Sequence, residues 1–323
     1  MKHFDLRFTK YDLRIERNCY DHFKIKFSNV IVLLYILLFV SCEKDITVDL
    51  PQPESKVVVD GYVETGKPIY ILLSRNAPYF APVNSSTLNT GEKGAIVTVN
   101  DGTQTVTLTE LPLTINGVTI NGLYIALNLS SLDTTMKGEE GKTYTLNITT
   151  SGGEQLSAVT KLNPAIPLDS VWFQIQESLP GNDSLGYVWA TLKDPDTLNN
   201  CYRWMAMRAG KDSSFLPPFG STFEDKFVNA TRFDFAFPRG SVLNSSADDD
   251  NNDEAGFFKK GDSVIVKFCV VDRSTFEFWR DAETQVGNNG SPFTTPAPIR
   301  SNVVGGLGLF AAYSPWYYSF LAQ

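Results

Sequence analysis

The chain has 323 residues, 42% of them hydrophobic and 12% aromatic, with 28 basic and 36 acidic side chains for a formal net charge of −8. Residues 1–41 hold 7 of the basic and 4 of the acidic side chains, so the 282 residues that follow carry 21 and 32, a net charge of −11. That balance argues against nucleic acid or anionic lipid head groups as partners.

The N-terminal segment carries the clearest signal. An apolar run from Val30 to Val40 ends in Ser41-Cys42 and turns polar at Glu43-Lys44-Asp45, the pattern of a bacterial lipobox. Lipidation of Cys42 would tether the chain to a membrane through acyl groups worth about 0.8 kcal/mol per buried CH₂. The rival reading is a spanning helix, but the uncharged stretch from Phe27 to Cys42 is 16 residues. A span needs about 20, and no positive stop-transfer cluster follows. Residues 1–41 therefore read as a lipoprotein signal peptide. Its charged n-region is unusually long, which a start codon assigned too far upstream would explain.

Processing at Cys42 has chemical consequences. His3 and His22 both precede it, so the remaining chain has no imidazole for nucleophile pairs, general bases or zinc ligation. No catalytic residue and no cofactor is assigned. Of the four cysteines, Cys19 is removed and Cys42 lipidated, leaving Cys201 and Cys269. An oxidising compartment would let these two pair, whereas their apolar, strand-like surroundings suit buried free thiols equally.

After a polar, proline-containing tether over residues 42–55 the pattern becomes strand-like. Val57-Val58-Val59-Asp60-Gly61-Tyr62-Val63 and Ile69 to Ser74 come first, then a hairpin of 95–99 and 105–108 around Asn100-Asp101-Gly102. Asp-Gly supplies the positive φ of a tight turn. Strands follow at 123–127, 143–148 and 155–160, and Asn163-Pro164-Ala165-Ile166-Pro167 marks a boundary. Short β-branched strands with regular turns predict an immunoglobulin-like antiparallel β-sandwich over 56–163.

The second half, 168–323, is more aromatic. Strands are predicted at 170–175, 186–192, 201–207, 232–237 and 263–271. A helix near 274–286 follows, with Ser274 and Glu277 as a capping box and Phe276, Trp279, Ala282 and Val286 as its apolar face. The glycines at 305, 306 and 308 interrupt a last strand and suggest close backbone packing. The expected fold is all-β: two antiparallel β-sandwich domains, the second carrying one docked α-helix.

Several of these segments together resemble a known family. The lipobox with its acidic sequel, Lys56-Val57-Val58-Val59-Asp60-Gly61, Asp194-Pro195 with Asn200-Cys201-Tyr202, and Ser274-Thr275-Phe276-Glu277-Phe278-Trp279 are shared features. More specific are Ser291-Pro292-Phe293, Pro298, Ser301-Asn302 and Gly305-Gly306-Leu307-Gly308-Leu309-Phe310 with Tyr313. This chain resembles the Bacteroidota outer-membrane lipoproteins grouped as domain of unknown function 4249. The resemblance implies two β-rich domains, a lipid anchor and genes often beside TonB-dependent transporters, with no catalytic residues to carry over. The acidic run at 248–254 and the tail from Trp316 to Leu321 depart from the family's pattern.

Other constellations have ordinary readings beside the functional ones. Asp248, Asp250 and Asn252 have the spacing of a Ca²⁺ loop, but Asp253 stands where an EF-hand needs glycine, and a solvated acidic loop is preferred. Asp194-Pro195-Asp196 with Asn199 and Asn200 reads as a turn. The pairs Glu224 with Asp225 and Glu277 with Asp281 could serve glycoside hydrolysis only at a set separation, and solvation explains the helical pair. Trp172, Trp189, Trp204 and Trp279 read as packing residues. Trp316, Tyr317, Tyr318 and Phe320, in a nearly uncharged tail, are the expected partner contact. The expectation is a surface-exposed outer-membrane lipoprotein, a non-enzymatic accessory of a TonB-dependent transporter, with a glycan-binding or glycan-cleaving lipoprotein as the competing class.

Overall fold

The computed structural model describes residues 54–77, 91–115, 118–177, 183–241, 256–288 and 298–323. Cys42 with the signal segment, the acidic run containing Asp248, Asp250 and Asn252, and Ser291-Pro292-Phe293 lie outside the described residues. No helix among the described residues is long and apolar enough to cross a membrane.

The chain is all-β with one α-helix. The strands of its first half are β1 (Val57–Glu64), β2 (Tyr70–Arg75), β3 (Ile96–Asn100), β4 (Thr105–Thr107), β5 (Thr109–Glu110), β6 (Leu113–Ile115), β7 (Val118–Ile120), β8 (Leu123–Ile125), β9 (Thr143–Thr149) and β10 (Gln155–Lys161). Those of the second half are β11 (Ser170–Ile175), β12 (Leu185–Lys193), β13 (Cys201–Arg208), β14 (Thr222–Glu224), β15 (Arg232–Phe237), β16 (Phe258–Lys259), β17 (Ser263–Val271), β18 (Val303–Val304) and β19 (Leu307–Leu321), with helix α1 (Arg273–Gly287) after β17.

An eight-stranded sheet in the order β14-β13-β17-β19-β1-β2-β8-β5 runs through both halves. Its pairings are antiparallel except β1 with β19, which is parallel with Val58 opposite Leu307 and Glu64 opposite Tyr313. The other larger sheets are β18-β10-β9-β3-β4 and β11-β12-β15, the latter also carrying β16. Period-two alternation assigns each residue of the long sheet to one of two faces. One face, here called the back, contributes to two cores. Val57, Val59, Ile71, Leu73 and Phe310 pack with Val97, Leu146 and Ile148 in the first. Trp204, Val266 and Phe268 pack with Val188, Leu192 and Phe237 in the second.

The boundary expected near 163–168 therefore separates two cores but not two sheets. Strand β19, which the sequence pattern assigns to the second half, inserts Phe310 and Ala312 into the first core and leans Tyr318 and Phe320 against the second. Between them Ser314 is fully buried, its hydroxyl donating to the Asn163 carbonyl at the junction of the halves. Parallel pairing joins strands far apart in sequence, so no local pattern announces it.

Glycine makes that pairing feasible. Gly308 has φ +107°, and a Cβ there would lie 2.0 Å from the Val59 carbonyl oxygen. This accords with the close packing read from the glycines at 305–308. Helix α1 is in its expected place with a different cap: Asp272, not Ser274, accepts from the Thr275 amide at 2.9 Å. Both residue types are favoured N-caps, but the extended backbone falls at Asp272, and Ser274 instead donates to Asp272 at 2.9 Å. Val286, expected on the apolar face, is 58% exposed in the last turn of α1.

Candidate functional site

The front face of the long sheet is built differently from the back. Helix α1 covers part of it, seating Phe276 over Cys201, Cys269, Val271, Leu309 and Ala311. Beyond the helix the covering stops, and the front-facing residues of β1, β2, β13, β17 and β19 floor a half-open cleft of about 300 Å³. The registers explain who meets whom. Met205 lies opposite Lys267, Lys267 opposite Tyr317, and Tyr62 opposite Tyr70. Phe215 and Pro217, from the segment between β13 and β14, form one wall and Trp279 of α1 another.

Arg203 is the central charge of this cleft. It is 4% exposed, yet no carboxylate among the described residues lies within ion-pair distance of it. Its guanidinium carbon sits 3.5 Å from the centroid of the Trp279 ring, a close cation–π contact. Nε donates to the Ser221 hydroxyl at 3.2 Å and Nη1 to the Tyr313 hydroxyl at 3.2 Å. Trp279 Nε1 donates to the same Tyr313 oxygen at 2.6 Å, so one phenol accepts from both. The Ser221 hydroxyl in turn donates to Glu283, and the Ser221 amide meets the other Glu283 oxygen at 3.0 Å. Glu283, three residues past Arg280 on α1, is held above the ordinary carboxylate range by burial, with Ser221 and Arg203 opposing. Phe276, Trp279 and Glu283 follow helical spacing, which is why one helix supplies both the packing and these polar contacts.

A second charge is neutralised in place. Lys267 Nζ lies 2.5 Å from Glu64 Oε2, and the Tyr317 hydroxyl donates to Glu64 Oε1 at 3.1 Å. Three phenols stand in a row beside this pair. Tyr62 stacks on Tyr70 with centroids 4.9 Å apart and on Tyr313 at 5.6 Å. Burial raises all three hydroxyls, those of Tyr70 and Tyr313 to about 12, so they act as neutral hydrogen-bonding groups. A neighbouring hollow over Lys67, Pro68 and Ile125 shares Tyr62, Glu64 and Tyr70 with the cleft. The two adjoin at these three residues.

The residues singled out from the sequence fall elsewhere or take other roles. Cys201 and Cys269 are on adjacent strands, opposite Val271 and Arg203 respectively, and both are buried free thiols. Burial pushes each up to about 12, which leaves them unreactive. The aromatic tail is not a tail: Trp316 to Phe320 are a paired part of β19, and Tyr318 and Phe320 lean on the second core. Trp316 and Tyr317 keep 43% and 46% exposure, but successive residues of a strand face opposite sides and cannot form one patch. Trp204 is core, whereas Trp172 and Trp189 are half-buried and stack on each other at 6.3 Å.

The carboxylate pairs are likewise engaged. Glu277 and Asp281, read as solvated, grip Arg300 at 3.1 and 2.6 Å. Glu224 pairs with Arg273 at 2.5 Å, and buried Asp225 accepts from the Asn199 and Asn200 amides. Asp194, in the expected turn, accepts from the Tyr202 hydroxyl and the Ala230 amide. Among the described residues no group of three or more His, Cys, Asp or Glu side chains could hold a metal ion.

Sequence reasoning passed over Arg203, Lys267 and Glu64. A signal was present. Arg203 sits inside Cys201-Tyr202-Arg203-Trp204-Met205-Ala206 and Lys267 inside Val264-Ile265-Val266-Lys267-Phe268. A lone cation within an apolar strand run is rare enough to single out, because burying a charge is costly.

No curated protein matches this chain. A family model does match, over residues 43–316, a span that holds the buried residues of both cores and every lining residue of the cleft. The chain therefore belongs to the family described as a domain of unknown function (DUF4249).

Proposed function

We propose that this protein is a lipid-anchored, non-enzymatic binding module of the outer membrane, displayed at the cell surface and serving as an accessory of a TonB-dependent transporter. The observation that carries the binding role is the half-open cleft with Arg203 at its floor and rings on its walls. Such a concave surface, largely apolar with a few convergent polar groups, is the usual form of a small-molecule site. Two features support a non-enzymatic role. Histidine is absent from residues 42–323, and two carboxylates beside the cleft, Glu64 and Glu283, are occupied by Lys267 with Tyr317 and by Ser221. The anchor is supported by the lipobox at Cys42, and the transporter partnership by the family resemblance.

A glycan-binding lipoprotein is the competing reading, and Tyr70, exposed at the end of the tyrosine row, favours it, since sugar rings stack on aromatic faces. One experiment addresses both. Wild-type and Cys42→Ala chains are expressed, cells are treated with protease before lysis, and the outer membrane is solubilised in detergent. The wild-type chain is expected in the outer membrane, digested from outside and co-purifying with a β-barrel, while the variant leaves the membrane fraction. Retention of Cys42→Ala in the outer membrane overturns the anchor. Full protection from protease overturns surface display. Purification without a barrel, together with polysaccharide binding by the isolated chain, favours the glycan reading.

A further inference from the structure

We infer that the cleft binds a small monocarboxylate with a ring-sized body, its carboxylate seated on Arg203 and its ring against Phe215. The inference deepens the binding role proposed above and is independent of the membrane anchor.

The argument starts from the state of Arg203. A guanidinium that is 4% exposed loses most of its hydration, and leaving such a charge without a direct counter-ion is costly. Here the hydrogen bonds are to two hydroxyls and use only Nε and Nη1. Nη2 has no partner among them, in a residue that lines the cleft. The fold also fixes the direction of the fork: the Trp279 ring covers one face of the guanidinium, and Tyr313 and Ser221 hold two of its nitrogens. A planar donor held in this way is prepared for an oxyanion, which an arginine binds with short, charge-assisted hydrogen bonds.

The rest of the cleft narrows the class. Lys267 is neutralised by Glu64 at 2.5 Å, so Arg203 is the one cation at the floor without a direct carboxylate. That suits a monoanion, whereas a phosphate dianion would need further donors. Tyr62 is already stacked between Tyr70 and Tyr313, so the body of the ligand meets Phe215 on the wall and the edges of the tyrosine row at the floor, and the Phe215 ring accepts a flat apolar ring or the apolar face of a sugar. A volume of about 300 Å³ is at the lower end for small-molecule sites and holds one ring rather than several. Two sources share this chemistry, an aromatic acid and the uronic-acid end of a glycan.

Titration calorimetry on the purified full chain tests it with 4-hydroxyphenylacetate and glucuronate, each beside a neutral counterpart, 4-hydroxyphenylacetamide and glucose. At least one acid is expected to bind with a stoichiometry of one, and its neutral counterpart at least tenfold more weakly. Which acid binds identifies the source. Arg203→Gln is expected to lose tenfold or more in affinity, and Phe215→Ala several-fold while keeping the thermal transition. Failure of both acids to bind, neutral counterparts that bind equally well, or a folded Arg203→Gln with unchanged affinity would each overturn the assignment. If Arg203→Gln does not fold, the comparison of acid with neutral compound on the wild-type chain decides alone. Absence of binding in a chain that still co-purifies with a barrel refutes this inference and leaves the accessory role standing.

Discussion

The same strands of the long sheet present two contrasting surfaces. On the back, Val57, Val59, Ile71, Leu73 and Phe310 are buried to within 2% of full burial and meet aliphatic neighbours from a second sheet. On the front, the sheet presents Tyr62, Glu64, Tyr70, Arg203 and Lys267, and helix α1 covers only part of the surface. One face is closed by apolar contact and contributes most of the stability. The other holds charge in hydrogen-bonded networks around open space, an arrangement that adds little stability and suits a ligand. Alternation along a strand lets one backbone serve both purposes.

Substitutions that act on one face alone sharpen this contrast. The largest effect is expected on the back. Phe310 is fully buried in the first core and faces β1 across the parallel pairing. Phe310→Ala should cost about 3–5 kcal/mol through lost burial and the cavity left behind, read from the midpoint of denaturant unfolding. A loss below about 1 kcal/mol would mean that the two halves are not held together through β19.

A smaller effect is expected on the front. Trp279→Phe keeps a ring over Arg203 but removes the 2.6 Å donor to Tyr313. A cost of about 1–2 kcal/mol in the same measurement follows from one hydrogen bond and a weakened cation–π contact. A cost equal to that of Phe310→Ala would show that the front is packed as a second core and would undo the comparison.

The smallest effect concerns pH. Burial raises the Glu283 carboxyl above its unfolded value, so folding favours its protonated form. Its contribution is present in full below the unfolded value near 4.5 and is lost as pH rises through the folded one. Glu283→Gln should therefore flatten a decline in stability with rising pH just above 4.5, seen as a difference between wild-type and variant thermal midpoints. Groups such as Asp281, lowered by Arg300, oppose that slope in both proteins and cancel in the difference. A variant whose profile parallels the wild type would mean that Glu283 titrates as if in solvent.

Local patterns made much of the fold legible. The hairpin around Asn100-Asp101-Gly102 is present as β3 and β4, with Gly102 at φ +88° and Asp101 accepting from the Thr103 and Gln104 amides. Both signals are contained within a few residues. The cap of α1 was misplaced by two positions because Asp272 and Ser274 both have capping side chains, and only the backbone angle of Asp272 distinguishes them. The segment from Trp316 reads as a tail because aromatic content alone does not tell a paired strand from an unpaired end of the chain. Its neighbour β17 lies some fifty residues earlier, with Lys267 opposite Tyr317.

The sequence by itself determined which residues share a face, because a period of two follows from the pleat, and it determined the all-β class, the helix and the turns, each of which rests on neighbours along the chain. Only the tertiary structure decided that β19 runs parallel to β1 and joins the two cores, and that Arg203, Trp279 and Tyr313, separated by 76 and 34 positions, meet around one phenol oxygen. Strand order and register are set by the summed burial of both sheets and the helix, an energy that no short segment contains.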